Sequence, residues 1–227
     1  MKTLLLLEDL PEIRAWLRAL VMQVFPGSTV VESARVHDAL QQVTAHRFDL
    51  AMIDLGLPDG SGVKVVQALR ESQPDAQSVV VTIHDDDDHL FPALQAGAYG
   101  YLLKEQPREQ LMEHLQRISQ GEPPLSPSIA RRMISYFSAQ ANKPALQPYP
   151  AADTLMPNVQ LTEREREVLL RVAKGFTLPE IGVQLGLSRH TIADYVKQIY
   201  RKLTVSSRAE DALAAQRLGP FRRGGVS

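Results

Sequence analysis

Glu8 and Asp9, Asp54, Thr82 and Lys104 are side chains of the kinds that handle phosphate. Gathered in one place, three carboxylates repel one another unless a cation neutralises them. Mg2+ suits that task, because it is a hard cation that takes oxygen ligands and keeps waters a phosphate can displace. Asp9 and Asp54 would bind it directly, Glu8 directly or through water, and the Gly56 carbonyl would add another oxygen. The Asp54 carboxylate is then a nucleophile toward phosphorus, giving an aspartyl phosphate. Lys104 would offset charge on the transferring group, and the Thr82 hydroxyl would hydrogen-bond a phosphate oxygen.

Such a site requires four distant stretches of chain to meet. Apolar runs at residues 3–7, 29–32, 50–53, 79–82 and 99–103 read as strands. Helical patterns span residues 12–24, 36–45, 62–71, 89–96 and 108–119. Strands rich in Val, Ile and Leu without alternation are buried on both faces, as in a parallel sheet covered by helices. The repeats therefore predict a doubly wound α/β domain. Glu8 and Asp9 follow its first strand, and Asp54, Thr82 and Lys104 end the third, fourth and fifth. All fall at carboxyl ends of strands, where open α/β sheets bind ligands.

The second half of the chain has a different character. Residues 1–125 carry 10 Lys and Arg against 18 Asp and Glu, whereas residues 160–227 carry 12 against 7. The basic end favours a polyanion. Between the two, seven of the 15 prolines fall from Pro123 to Pro157. One helix interrupts that stretch: Ser126 caps it, Pro127 suits its first position, and Ile129, Met133 and Phe137 share a face. Residues 142–158 then read as an extended, semi-rigid linker.

From Leu161 the pattern is helical throughout. Thr162 with Glu165, Thr177 with Glu180 and Ser207 with Glu210 form capping boxes, and Gly175 and Gly186 sit where helices end. Four short helices are expected, the third over residues 188–203 and the last over 207–217. Ile192, Val196, Ile199 and Leu203 form an apolar stripe on the third, which packs on the preceding helix across a turn holding Gly186. His190, Asp194, Lys197 and Arg201 form a polar stripe. With Arg189, Thr191 and Lys202, it would enter the major groove of double-stranded DNA as a recognition helix.

The absence of cysteine excludes disulfides, thiolate zinc sites and cysteine nucleophiles. No apolar run approaches a membrane span, since Glu8 and Asp9 stop the run from Leu4 to Leu7. A cytoplasmic location with no membrane partner is expected.

Asp54-Leu55-Gly56-Leu57-Pro58-Asp59-Gly60-Ser61-Gly62 resembles the phosphorylation loop of response-regulator receivers, and Ala96-Gly97-Ala98-Tyr99-Gly100-Tyr101-Leu102-Leu103-Lys104 resembles their fifth-strand signature. The resemblance covers residues 1–120. It implies a flavodoxin-like fold with strand order 2-1-3-4-5. It also implies that Tyr101 turns inward with Thr82 on phosphorylation, reshaping the face of helix four, strand five and helix five. Leu161-Thr162-Glu163-Arg164-Glu165-Arg166-Glu167-Val168-Leu169, Leu185-Gly186-Leu187-Ser188, Thr191-Ile192 and Arg201-Lys202-Leu203 resemble the LuxR-type output domain of the NarL/FixJ subfamily. This second match, over residues 160–217, implies a four-helix helix-turn-helix domain whose last helix dimerises. Gly121-Glu122-Pro123-Pro124-Leu125-Ser126-Pro127 is similar to that subfamily's linker.

Some positions depart from these patterns. Ile83 is bulkier than the small residue many receivers place after the threonine, which points to restricted access for a phosphodonor. Glu105 stands in place of a common proline. Ala193, Tyr195 and Gln198 replace a lysine, a histidine and an asparagine of the output-domain pattern, and Asp194 occupies a position that often faces bases.

The expected organisation is a receiver over residues 1–121, a Pro-rich linker with one helix over 122–159, and a DNA-binding domain over 160–227. The expected function is a Mg2+-dependent, aspartate-phosphorylated transcriptional regulator. It would be served by a sensor histidine kinase or small phosphodonor, be dimeric when phosphorylated, and turn over no external metabolite. An aspartate-nucleophile phosphohydrolase would carry a second aspartate where Gly56 stands. An interaction protein with a degenerate DNA-binding domain is the reading that Ala193 and Asp194 favour. A regulator that works without phosphorylation is a further alternative. His84 and His89 flank four aspartates and invite a metal site, although acidic residues at a helix N-terminus also suit its dipole.

Overall fold

Runs of Leu, Val and Ile with no polar alternation form the sheet, because each strand is covered on both faces. The computed structural model describes residues 2–141 and 160–217, with side chains through residue 139 and from 160 to 205. The elements are β1 (Thr3–Leu7), α1 (Pro11–Val24), β2 (Thr29–Ser33), α2 (Val36–Ala45), β3 (Leu50–Ile53), β4 (Gly56–Leu57), β5 (Gly60–Ser61), α3 (Val63–Ser72), β6 (Gln77–Thr82), α4 (Asp87–Gln95), β7 (Gly100–Leu103) and α5 (Arg108–Ser119). There follow α6 (Pro127–Ala141), α7 (Glu163–Ala173), α8 (Leu178–Leu185) and α9 (Arg189–Arg217).

The main sheet runs β2-β1-β3-β6-β7 with every pair parallel, the order expected of a flavodoxin-like fold. Leu5, Leu7, Ile53, Val80 and Tyr101 pack toward α2, α3 and α4, while Leu4, Leu6, Met52 and Val81 pack toward Leu17 and Leu20 of α1 and Leu115 of α5. These two layers fix the sheet, and so hold its carboxyl edge in place.

The small antiparallel pair β4–β5 turns the loop after Asp54 back on itself. Gly62 closes the return by donating to the Leu55 carbonyl at 3.1 Å. A Cβ on Gly62 would overlap the Asp54 carbonyl oxygen and lie 2.8 Å from Ile53 Cγ2, so only glycine fits. Asp59 anchors the tip of this loop to α2, accepting from the Val36 and His37 amides at 2.8 and 2.9 Å. The His37 amide bond, helped by that of Val36, holds its carboxyl below the usual carboxylate range.

On α6, Ile129, Met133 and Phe137 are buried, and the helix packs on α7. The Thr162–Glu165 and Thr177–Glu180 capping boxes are both formed, and Gly186 ends α8 in the left-handed region at φ 67°. One expectation fails. Residues 207–217 do not form a separate fourth helix but continue α9 without a break. Neither glycine nor proline lies between Leu203 and Arg217, so nothing stops propagation, and Ser207 stays helical instead of adopting the extended backbone of an N-cap. The expected linker at residues 142–158 lies outside the described residues.

Replacing Gly62 with alanine should lower the stability of the N-terminal domain by about 1–3 kcal/mol, the usual cost of forcing atoms into filled space. Urea unfolding of the full chain measures it. An unchanged midpoint would mean that the loop does not return as closely as described.

Candidate functional site

The hydrogen-bond ladders run one residue past the strands, and this carries the polar residues together. Asp54 donates its amide to the Leu7 carbonyl at 2.9 Å, Glu8 to Ser33 at 3.1 Å, and Lys104 to Thr82 at 2.9 Å. Glu8, Asp54 and Thr82 are buried behind that edge. The Lys104 ammonium sits between two carboxylates, 2.5 Å from Glu8 Oε2 and 2.9 Å from Asp54 Oδ2. Asp54 Oδ1 accepts from the Leu55 amide at 2.7 Å, which fixes the carboxylate plane.

Asp9 completes the cluster. One oxygen from each of Glu8, Asp9 and Asp54 lies within 4.8 Å of the others. Burial pushes the Glu8 carboxyl up, Lys104 opposes the shift, and the Asp54 charge adds to it. Three carboxyl groups against one ammonium leave acidic groups in excess. An all-oxygen set with that excess fits a hard divalent cation such as Mg2+. Gly56 lies at the exposed rim in β4.

Thr82 and Tyr101 both point inward. The Thr82 hydroxyl accepts from the His84 amide at 3.4 Å, and the Tyr101 hydroxyl donates to the His84 carbonyl at 2.7 Å. Burial pushes the Tyr101 phenol above its ordinary range. Ile83 is 60% exposed.

The side of α9 that carries Arg189, Tyr200 and Thr204 lies against the N-terminal domain and the segment that follows α5. Tyr200 donates to the Pro124 carbonyl at 2.8 Å, and Thr204 of α9 donates to the Leu94 carbonyl of α4 at 3.2 Å. Arg189 pairs with Glu122, which is buried, and donates to Gln120. Lys197 and Arg201 line a cleft of about 260 Å³ whose opposite wall includes Arg70 and Tyr99. Pro124 crosses the start of β7 so closely that a Cβ on Gly100 would overlap its ring.

Not all the expected DNA-binding residues share one surface. His190, Asp194 and Arg201 are exposed, and Asp194 pairs with Lys197 at 3.1 Å. The Thr191 hydroxyl is bound to that of Ser188 at 2.8 Å at the start of the helix. Ala193 is buried. Lys202 turns away from the stripe: its ammonium reaches the Gln160 carbonyl at 2.8 Å and Glu165 Oε2 at 2.6 Å. Since Glu165 is buried, Lys202 neutralises a charge inside the C-terminal domain. Sequence reasoning had no means to find the Glu122–Arg189 or Tyr200–Pro124 contacts, which depend on how two domains meet.

Removing one partner of a fully buried ion pair costs about 3–5 kcal/mol, and Lys202→Met should lose the lower part of that range because Lys202 is partly exposed. Arg201→Ala should leave stability unchanged. Thermal unfolding compares the two, and equal stability of both variants would contradict the placement of Lys202.

Two family descriptions match the chain: the response regulator receiver domain over residues 4–116, and bacterial regulatory proteins of the luxR family over residues 159–215. The chain is 32% identical over 186 residues to the transcriptional regulatory protein YhcZ of Bacillus subtilis, covering 82% of each chain. It is 32% identical over 174 residues to the oxygen regulatory protein NreC of Staphylococcus epidermidis, covering 76% of this chain and 78% of that one. A LuxR-family two-component response regulator from Aurantimonas sp. superposes with a TM-score of 0.54 at 27% identity, covering 60% of this chain and 97% of that chain. The RcsB response regulator of Salmonella typhimurium shares the fold, with a TM-score of 0.52 at 21% identity over 94% of this chain and 98% of that one. A buried, lysine-bridged aspartate at the edge of a parallel sheet, followed by a helix-turn-helix, thus stands in the context these matches describe: the chain belongs to the two-component response regulators that join a receiver domain to a LuxR-type DNA-binding domain.

Proposed function

We propose that Asp54 accepts a phosphoryl group in a Mg2+-dependent transfer, and that its phosphorylation governs sequence-specific binding of α9 to double-stranded DNA. The observation that carries this reading is the Lys104 ammonium held against both Glu8 and Asp54. A sensor histidine kinase or a small phosphodonor supplies the group. An Asp54 carboxylate oxygen forms the new bond to phosphorus while the bond to the donor breaks, and the donor leaves with its electron pair. Lys104 offsets charge on the transferring oxygens, and Thr82 turns its hydroxyl toward them. Glu8, Asp9, Asp54 and the Gly56 carbonyl would hold Mg2+, which supplies the remaining charge compensation. Attack of water on the phosphorus later releases inorganic phosphate and restores Asp54. The chain acts on its own phosphate and on no external metabolite.

The link to DNA runs through the inter-domain contacts. A cleft of about 260 Å³ beside Lys197 and Arg201 cannot admit a duplex, since even the major groove alone is about 12 Å wide. In this reading the half-buried Lys197 meets phosphate only once the two domains part, whereas His190, Asp194 and Arg201 are already exposed. A phosphorylated homodimer would then set two α9 helices on half-sites about one helical turn apart. The domain boundaries near residues 121 and 159, and a cytoplasmic location, belong to the same reading. No helix among the described residues is long and apolar enough to cross a membrane.

Incubation with acetyl phosphate and Mg2+ should add one phosphate to the wild-type chain and none to Asp54→Asn, as read by intact mass. Asp9→Asn should take up phosphate more slowly and need more Mg2+. Equal uptake by wild type and Asp54→Asn would refute the assignment of Asp54.

A further inference from the structure

We propose that His84, Asp86 and His89 form a second, chemically distinct metal site, for a borderline divalent transition ion of the Zn2+, Ni2+ or Co2+ kind. One ligand atom from each residue lies within 4.8 Å of the others, at the mouth of the loop joining β6 to α4. The two imidazoles are stacked face to face, with centroids 4.0 Å apart and planes 4° from parallel.

Three of the four consecutive aspartates at the start of α4 have distinct partners. Asp85 and Asp87 face α6, where Arg132 pairs with them at 3.1 and 2.8 Å. Asp86 faces the other way, toward His89: its Oδ1 lies 2.7 Å from His89 Nδ1 and also accepts the His89 amide at 3.0 Å, capping α4. The ring of His84 makes no hydrogen bond among the described residues. The ion enters where His89 Nδ1 and Asp86 Oδ1 share a proton. It displaces that proton, takes a nitrogen of His84 as third ligand, and leaves its remaining positions to water.

The donor set decides the ion. Imidazole nitrogen suits zinc, nickel and cobalt, whereas carboxylate and carbonyl oxygens suit magnesium. The Glu8–Asp9–Asp54 cluster is all oxygen, so the two sites discriminate between ions without competing. Tetrahedral zinc holds ligands at about 2.0–2.2 Å, so His84 in the loop and the partly exposed His89 in the first turn of α4 must rotate out of their parallel stack to converge on one ion.

Occupancy would bear on the switch, a consequence that rests on the proposed function. The His84 carbonyl is the acceptor for the Tyr101 hydroxyl, and its amide touches the Thr82 hydroxyl. An ion that pins His84 to α4 holds Thr82 and Tyr101 inward together.

The test uses the full-length protein, Zn2+ or Co2+ as chloride, and no phosphodonor, so it stands whether or not Asp54 is phosphorylated. Isothermal titration should give one site, and Co2+ should show visible bands of nitrogen ligation. His84→Gln and His89→Gln each remove a direct ligand and should each weaken Zn2+ by more than the roughly tenfold that loss of an outer-shell partner costs at the least. Asp86→Asn keeps an acceptor for the helix cap but removes the anion, and should weaken it similarly. Glu8→Gln should leave Zn2+ affinity unchanged. Circular dichroism checks that each variant is folded. Unaltered Zn2+ binding in the His84→Gln, His89→Gln double variant, or its loss in Glu8→Gln, would overturn the proposal.

Discussion

Three carboxylates meet one ammonium at the carboxyl edge of the sheet, and this imbalance shapes the rest of the N-terminal domain. Glu8 and Asp54 are buried, where an unpaired charge is costly, and Lys104 is close to both. The arrangement holds only because β1, β3, β6 and β7 are locked in register by apolar layers on both faces. In the proposed function the excess of carboxyl groups over the one ammonium lets a cation and then a phosphoryl group enter and alter the balance. A site in full charge balance would have no such response.

The same edge is mechanically joined to the second domain. Thr82 ends β6, the His84 backbone binds both Thr82 and Tyr101, and the following loop leads into α4. From α4 the Leu94 carbonyl reaches Thr204 of α9, and from the loop Asp85 and Asp87 reach Arg132 of α6. Tyr200 and Arg189 add contacts to the segment between α5 and α6. In the proposed function a change at Asp54 need move only this one loop to disturb several contacts with α9. Opening would also have to part the packing of α9 on α4, where the side chain of Tyr200 is buried.

Much of this was legible in the sequence, and the reasons are local. Unbroken apolar runs located the five long strands, and Asp54, Thr82 and Lys104 fell at strand ends because strands stop where charge begins. The Ile192, Val196, Ile199 and Leu203 stripe proved fully buried, as its helical spacing predicted. The two-residue strands β4 and β5 were missed, since two residues carry no period. Asp59 was passed over because its helix-capping partners lie more than twenty positions away. Lys202 was grouped with the DNA-facing cations, yet its direction is set by the buried Glu165 on α7, which helical spacing on α9 alone cannot reveal. The break expected before Ser207 rested on a capping box that the continuous helix overrides. Ala193, a departure from the family pattern on a helix meant to read DNA, lies buried in this arrangement.

The central claim is that the state of Asp54 decides whether α9 stays against the receiver, and a distance measurement tests it most directly. The chain has no cysteine, so thiols introduced at the exposed positions Gln67 of α3 and Val183 of α8 can be spin-labelled without interference. Pulsed dipolar spectroscopy would compare the labelled protein with and without beryllofluoride and Mg2+, in wild-type and Asp54→Asn backgrounds. The account predicts a longer, broader distance distribution on adding beryllofluoride to the wild type and no change in Asp54→Asn. A wild-type distribution that stays the same at saturating beryllofluoride would contradict it.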